Sequence, residues 1–124
     1  MPKILLINDS FAISALIKTR LEYGGFAVET APNGTEGIEA AKKAEYDLII
    51  LDYSLPDING VEVCRVLKKD DDTKDIPVIF ISATNRDELI KEIKNTGAVG
   101  NLDVPSDQNE FIDKINYVIK NKEL

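Results

Sequence analysis

Two aspartates and a serine stand where short apolar runs stop. Asp9 follows KILLIN (Lys3 to Asn8), Asp52 follows Leu48 to Leu51, and Ser82 closes PVIFIS. Two carboxylates brought together repel, so such a pair must keep a proton or recruit a cation. The donors are all oxygens, which suits a hard cation, and Mg²⁺ is the expected occupant. Asp9 and Asp52 would be direct ligands, with the backbone carbonyl of Ser54 a third. Mg²⁺ keeps several waters, which leaves room for a phosphate oxygen. A carboxylate in that setting can attack phosphorus and form an acyl phosphate. The transfer needs its equatorial oxygens neutralised more than it needs acid–base help, and the Ser82 hydroxyl could donate to one of them. The competing reading makes these ordinary polar strand ends, with Asp52 capping the turn that follows it.

The rest of the composition removes other chemistry. The chain of 124 residues has no histidine, which excludes Ser-His-Asp and Cys-His arrangements, a histidine zinc ligand and an internal phosphohistidine donor. The single cysteine, Cys64, cannot form an internal disulfide and suits a reducing cytoplasm. It lies among apolar helix positions and reads as a buried thiol, not a nucleophile. A net charge of −7 argues against direct non-specific binding of nucleic acid. No apolar run reaches the length of a membrane span, and MPKILLINDS lacks a cleavable signal pattern.

The elements that must position these residues follow from spacing. Leu48 to Leu51, running into Asp52 and a turn through Pro56, Asp57, Asn59 and Gly60, predicts a strand buried on both faces. Lys3 to Asn8 reads the same way. Ser10 caps a helix from Phe11 to Tyr23 with Ile13, Leu16, Ile17 and Leu21 as its expected buried stripe, stopped by Gly24-Gly25. A strand over Phe26 to Thr30 precedes a helix over Asn33 to Lys43, where Asn33 and Glu36 form a capping box. Gly37, inside that helix, costs about 1 kcal/mol relative to alanine and has no evident purpose. Asn59 and Glu62 repeat the box spacing before a helix over Gly60 to Lys69, with Val63, Cys64 and Leu67 inward. Lys68 to Asp75 reads as a solvated charged loop.

Pro77 opens a fourth strand, where no ladder bond is lost, and a helix is expected over Arg86 to Asn95. Val99 to Val104 is a fifth strand. Asp107 and Glu110 make a third box before a helix with Phe111, Ile112, Ile115, Val118 and Ile119 as its core stripe. Strand and helix patterns alternate five times with short connections. That calls for one doubly wound α/β domain over residues 1–124, a parallel sheet with helices on both faces. In such sheets ligands gather outside the carboxyl ends of the strands.

KILLINDS, GGFAVETAPNGTEG, YDLIILDYSLPDINGVEVC, IPVIFISAT and GAVGNLDVPSD, in this order and spacing, resemble the receiver (CheY-like) domain of two-component response regulators over Lys3 to about Lys120. The resemblance implies a five-stranded sheet of order 2-1-3-4-5 and a signalling module, not an enzyme. It implies Asp52 as phosphoacceptor, Asp9 and Asp52 as Mg²⁺ ligands, and Ser82 as switch hydroxyl followed by the small Ala83. It also implies a partner sensor histidine kinase or phosphotransfer protein, and a downstream protein target that the sequence does not name.

Three positions depart from that pattern. Asn8 stands where the first strand usually ends in an acidic residue, which removes a negative charge and should weaken Mg²⁺ binding. Val104 replaces the lysine that would pair with the acceptor carboxylate and then the phosphoryl group. Asn101 replaces the aromatic residue that reads the hydroxyl's movement, and neighbouring Asp103 adds charge of the wrong sign. Arg86 is the one nearby candidate for a substitute cation. These departures leave a second reading open, an interaction module whose contacts do not depend on phosphate. A phosphohydrolase of the haloacid-dehalogenase type ranks last, because the second aspartate it needs is Ser54 here.

Overall fold

The computed structural model describes residues 1–81 and 87–123, and side chains throughout except at 87–90. Strand β1 (Lys3–Ile7) leads to helix α1 (Phe11–Tyr23), β2 (Ala27–Ala31) to α2 (Gly34–Lys43), and β3 (Leu48–Asp52) to α3 (Gly60–Lys69). Then come β4 (Val78–Ile81), α4 (Asp87–Lys94), β5 (Gly100–Leu102) and α5 (Gln108–Asn121). All strand pairs are parallel, in the order β2-β1-β3-β4-β5. The expected doubly wound α/β architecture is therefore the observed one.

Strand alternation splits the core in two. Leu5, Ile7, Ile49, Leu51 and Phe80 point toward Ala41, Val63, Cys64, Leu67 and Ile93 of α2, α3 and α4. Ile4, Leu6, Leu48, Ile50 and Ile79 point the other way, toward Ile17, Leu21, Phe111, Ile115 and Val118 of α1 and α5. Both faces of the central strands are covered, which is why they read as unbroken apolar runs.

The caps are mostly as the spacing predicts. The Ser10 side chain accepts from the Ile13 N–H, that of Asn33 from Glu36, and that of Asp107 from Glu110. At α3 the box does not form. Asn59 accepts from the Val61 N–H, and Glu62 pairs instead with Arg65 one turn on.

α1 departs from its expected stripe. Ile17 and Leu21 are buried, but Ile13 and Leu16 are 49% and 62% exposed. The inward line runs through Ser14, whose hydroxyl donates to the Asn8 carbonyl at 3.4 Å. With Ser14, Ile17 and Leu21 inward, the helix is rotated so that Leu16 turns out. The charged stretch after α3 is also less solvated than expected. Thr73 is fully buried and donates to the Leu67 carbonyl at 2.6 Å, and Lys68 donates to the carbonyls of Lys74 and Ile76. Gly37 acquires a purpose, because a Cβ there would come within 2.5 Å of Ile7 Cδ1. α2 crosses β1 too closely for any side chain.

Candidate functional site

β1 and β3 are neighbours in register, Ile7 opposite Leu51, so both chains reach the same rim of the sheet and turn there. Asp52 is the last residue of β3 and pairs across the other side with Ile81 of β4. Asp9 stands in the turn between β1 and α1. That turn is shaped by Asn8, whose N–H donates to Ala31 O at 3.0 Å and whose Oδ1 accepts from the Ser10 N–H at 2.8 Å.

The turn brings the Asp9 carboxyl within hydrogen-bonding reach of Asp52. Partial burial raises the Asp52 pKa, and the charge of Asp9 raises it further. The backbone N–H groups of Ser54 and Tyr53 pull it back down. Each strand end supplies one carboxylate, and neither forms a salt bridge with a cation among the described residues. A cleft of about 230 Å³, lined by Asn8, Asp9, Phe11, Ser14 and the Thr30–Pro32 turn, opens beside Asp9.

The donor set fits a hard divalent cation. Two solvent-accessible carboxylates and a nearby backbone oxygen match Mg²⁺, which takes one or two carboxylates and keeps waters. Among the described residues no group of three or more His, Cys, Asp or Glu side chains comes together, so no all-protein cage competes with that arrangement. Asn8 Oδ1 already accepts from the Ser10 N–H, which leaves it one lone pair and no charge to offer a cation.

The remaining sequence candidates fall as follows. Ser82, Ala83 and Arg86 lie outside the described residues. Ser54 is exposed in the loop directly after Asp52. Cys64 is fully buried in α3 and burial pushes its thiol pKa up, which excludes a reactive thiolate. Val104 packs against the apolar cluster of Leu102, Phe111 and Ile115. The side chain at that position therefore contributes to the core and offers no charge. Asn101 borders a hollow of about 420 Å³ that Leu102, Asp103, Lys114 and Tyr117 also line, and its buried Oδ1 has no partner among the described residues.

Two residues make contacts that their spacing in the sequence does not predict. Arg20 of α1 donates through Nη2 to Pro105 O at 2.7 Å and through Nε to Gln108 Oε1 at 2.9 Å, and stacks over Phe111 at 4.7 Å. It clamps the backbone just past Val104. Asp57 accepts from the Gly34 N–H at 2.8 Å, the Thr35 N–H at 2.9 Å and the Thr35 hydroxyl at 2.6 Å. Both partners are far along the chain, and neither spacing is local.

Comparison with known proteins gives one family. The model of the response regulator receiver domain matches residues 4–116. The DNA-binding dual master transcriptional regulator RpaA of Synechocystis is 35% identical over 97% of the chain and 50% of its own length. The phosphate regulon regulator PhoB of Rhizobium meliloti is 30% identical over 97% and 53%. The chain thus spans about half the length of these regulators. The chemotaxis protein CheY4 of Vibrio cholerae superposes with a TM-score of 0.88 at 30% identity, covering 95% of this chain and 98% of its own.

Proposed function

Because the chain belongs to the response regulator receiver domain family of two-component systems, we propose that it accepts a phosphoryl group on Asp52 from a partner's phosphohistidine. One observation carries this reading. Two carboxyls from adjacent strand ends meet at one rim, within hydrogen-bonding reach, with no cation paired to them among the described residues.

An Asp52 carboxylate oxygen attacks phosphorus while the bond from phosphorus to the imidazole nitrogen breaks. The electron pair stays on the nitrogen, and an acyl phosphate forms on Asp52. Asp52 must be ionised to attack, and burial and Asp9 both oppose that, so the site works with a cation in place. Asp9, Asp52 and the Ser54 carbonyl would hold Mg²⁺, which supplies charge to the phosphoryl oxygens. The N–H groups of Tyr53 and Ser54 lower the Asp52 pKa and so favour its charged form. The Ser82 hydroxyl is the proposed donor to a phosphoryl oxygen and the switch. The partners are a sensor histidine kinase or phosphotransfer protein in the cytoplasm and a downstream protein target. Among the described residues no helix is long and apolar enough to cross a membrane.

The test is incubation with Mg²⁺ and acetyl phosphate followed by intact mass. One phosphoryl adduct is expected, lost in Asp52→Asn and without Mg²⁺. No adduct, or one that survives the substitution, rejects acceptance at Asp52.

A second reading, contacts that do not depend on phosphate, is favoured by Val104 sitting in core packing where a reporting lysine would stand. Partner affinity that changes strongly on phosphorylation counts against it.

A further inference from the structure

We propose that Asp57 is a positioning residue for the Asp52 site, holding the β3–α3 loop in place by latching it to the N-terminus of α2. The inference rests on the reading of Asp52 as phosphoacceptor. The loop from Tyr53 to Asn59 follows Asp52 directly, its Tyr53 and Ser54 N–H groups lower the Asp52 pKa, and it carries the Ser54 carbonyl proposed as a cation ligand. Its far end closes on itself, where the Gly60 N–H donates to Tyr53 O at 2.8 Å. Between these points Leu55 and Ile58 pack against the first core cluster, and the Asp57 carboxylate is the loop's polar anchor to α2 among the described residues.

That anchor is built from both sides. Asp57 takes two consecutive backbone N–H groups, Gly34 and Thr35, and the Thr35 hydroxyl. The first N–H groups of a helix have no partner within it and favour an anion. Packing closes the contact as well. A Cβ on Gly34 would come within 2.8 Å of Val63 Cγ2, 3.2 Å of Ile58 Cβ and 3.3 Å of Asp57 Oδ1. The loop, α2 and α3 meet there with no slack. Asn33 already caps α2 through the Glu36 N–H, so the helix does not depend on Asp57 for its only cap. The hydrogen bonds of Asp57 serve the loop.

Asn33→Ala is the control, since it removes a cap from the same helix end without touching the loop. The measurements are Mg²⁺ affinity by calorimetry, the rate of labelling by acetyl phosphate, and the amide NMR shifts of Tyr53 and Ser54 in the metal-free protein. Asp57→Ala is expected to weaken Mg²⁺ binding on the order of 10-fold, as loss of an outer partner does at other metal sites. It should slow labelling to a similar degree and move both amide signals. Asp57→Asn keeps an oxygen acceptor and should fall between Asp57→Ala and the parent. Asn33→Ala should lower thermal stability and leave all three readouts at the parent value.

Asp57→Ala matching the parent, or Asn33→Ala lowering Mg²⁺ affinity equally, overturns the latch. A parent protein that neither binds Mg²⁺ nor takes a phosphoryl group overturns the reading of Asp52 instead. The Tyr53 and Ser54 shifts still decide the latch in that event.

Discussion

At Asp52 the fold works against the charge its proposed chemistry needs. Burial and the Asp9 carboxylate raise its pKa, and two backbone N–H groups only partly offset them. A carboxyl whose folded pKa lies above its unfolded value of about 3.9 adds stability while protonated, and that stability is lost as pH rises through the folded value. At neutral pH without Mg²⁺ the ionised pair therefore costs stability. Asp52→Asn should raise the melting temperature at pH 7 by about 2 °C, a small figure because the site is half open to water. The gain should shrink toward zero as pH falls below about 4, and Mg²⁺ should stabilise the parent but not the variant. A thermal melt series across pH checks this, and an unchanged or lower melting temperature at pH 7 would contradict it. Asp57 stands on the other side of the same loop with the opposite shift. The Thr35 hydroxyl, followed by the Thr35 and Gly34 N–H groups, holds its carboxyl well below the usual carboxylate range. One loop thus joins a carboxylate that resists ionisation to one that favours it.

Among the elements, α1 shows how a helix can be apolar on more than one face. Its inward line is Ser14, Ile17 and Leu21, while Phe11, Leu16 and Tyr23 are 90%, 62% and 86% exposed. Burial decides what each leucine contributes. Leu21 is fully enclosed by the second core cluster, so Leu21→Ala should cost about 2–5 kcal/mol. Leu16→Ala should change stability by no more than about 0.5 kcal/mol, as surface substitutions do. Urea denaturation of the two variants measures the contrast. Similar losses at both positions would mean that Leu16 is enclosed after all. α2 carries the complementary lesson. Gly37 weakens the helix by propensity, yet a side chain there would strike Ile7 beneath it. Close approach to β1 outweighs the propensity cost.

For the molecule as a whole, the question is how far a change at the β1–β3 rim can travel. A receiver signals by shifting population between two arrangements, and the shift cannot exceed the differential contacts that drive it. Here the position after β5 is held from two directions. Val104 packs into the apolar cluster, and Arg20 grips Pro105 O and Gln108 from α1. No lysine follows the new charge on Asp52, and the clamp resists movement of the β5–α5 connection. Binding of beryllofluoride, a phosphoryl mimic, should therefore shift amide signals around β1 and β3 and leave β5 and α5 nearly still. Val104→Lys should enlarge the response across β5 and α5, because its stem can lie along the apolar cluster while its ammonium reaches toward charge. Large shifts across α5 in the parent protein would refute the clamp.

Hydrophobic period, capping residues and turn punctuation are local properties, and they determined the element order, the doubly wound fold and the rim where Asp9 and Asp52 meet. Five strand patterns alternating with five helix patterns through short connections admit few other arrangements. What the tertiary structure alone decided involves partners distant in sequence. The latch joins Asp57 to Gly34 and Thr35, the clamp joins Arg20 to Pro105, and Gly37 is explained only by Ile7 lying beneath it. The rotation of α1 belongs with these. Two apolar stripes competed on that helix, and the hydrogen bond from Ser14 to Asn8 lies along the buried one. Spacing along a chain records which side chains share a face. Which backbone group a side chain meets across the fold is settled only when the layers close.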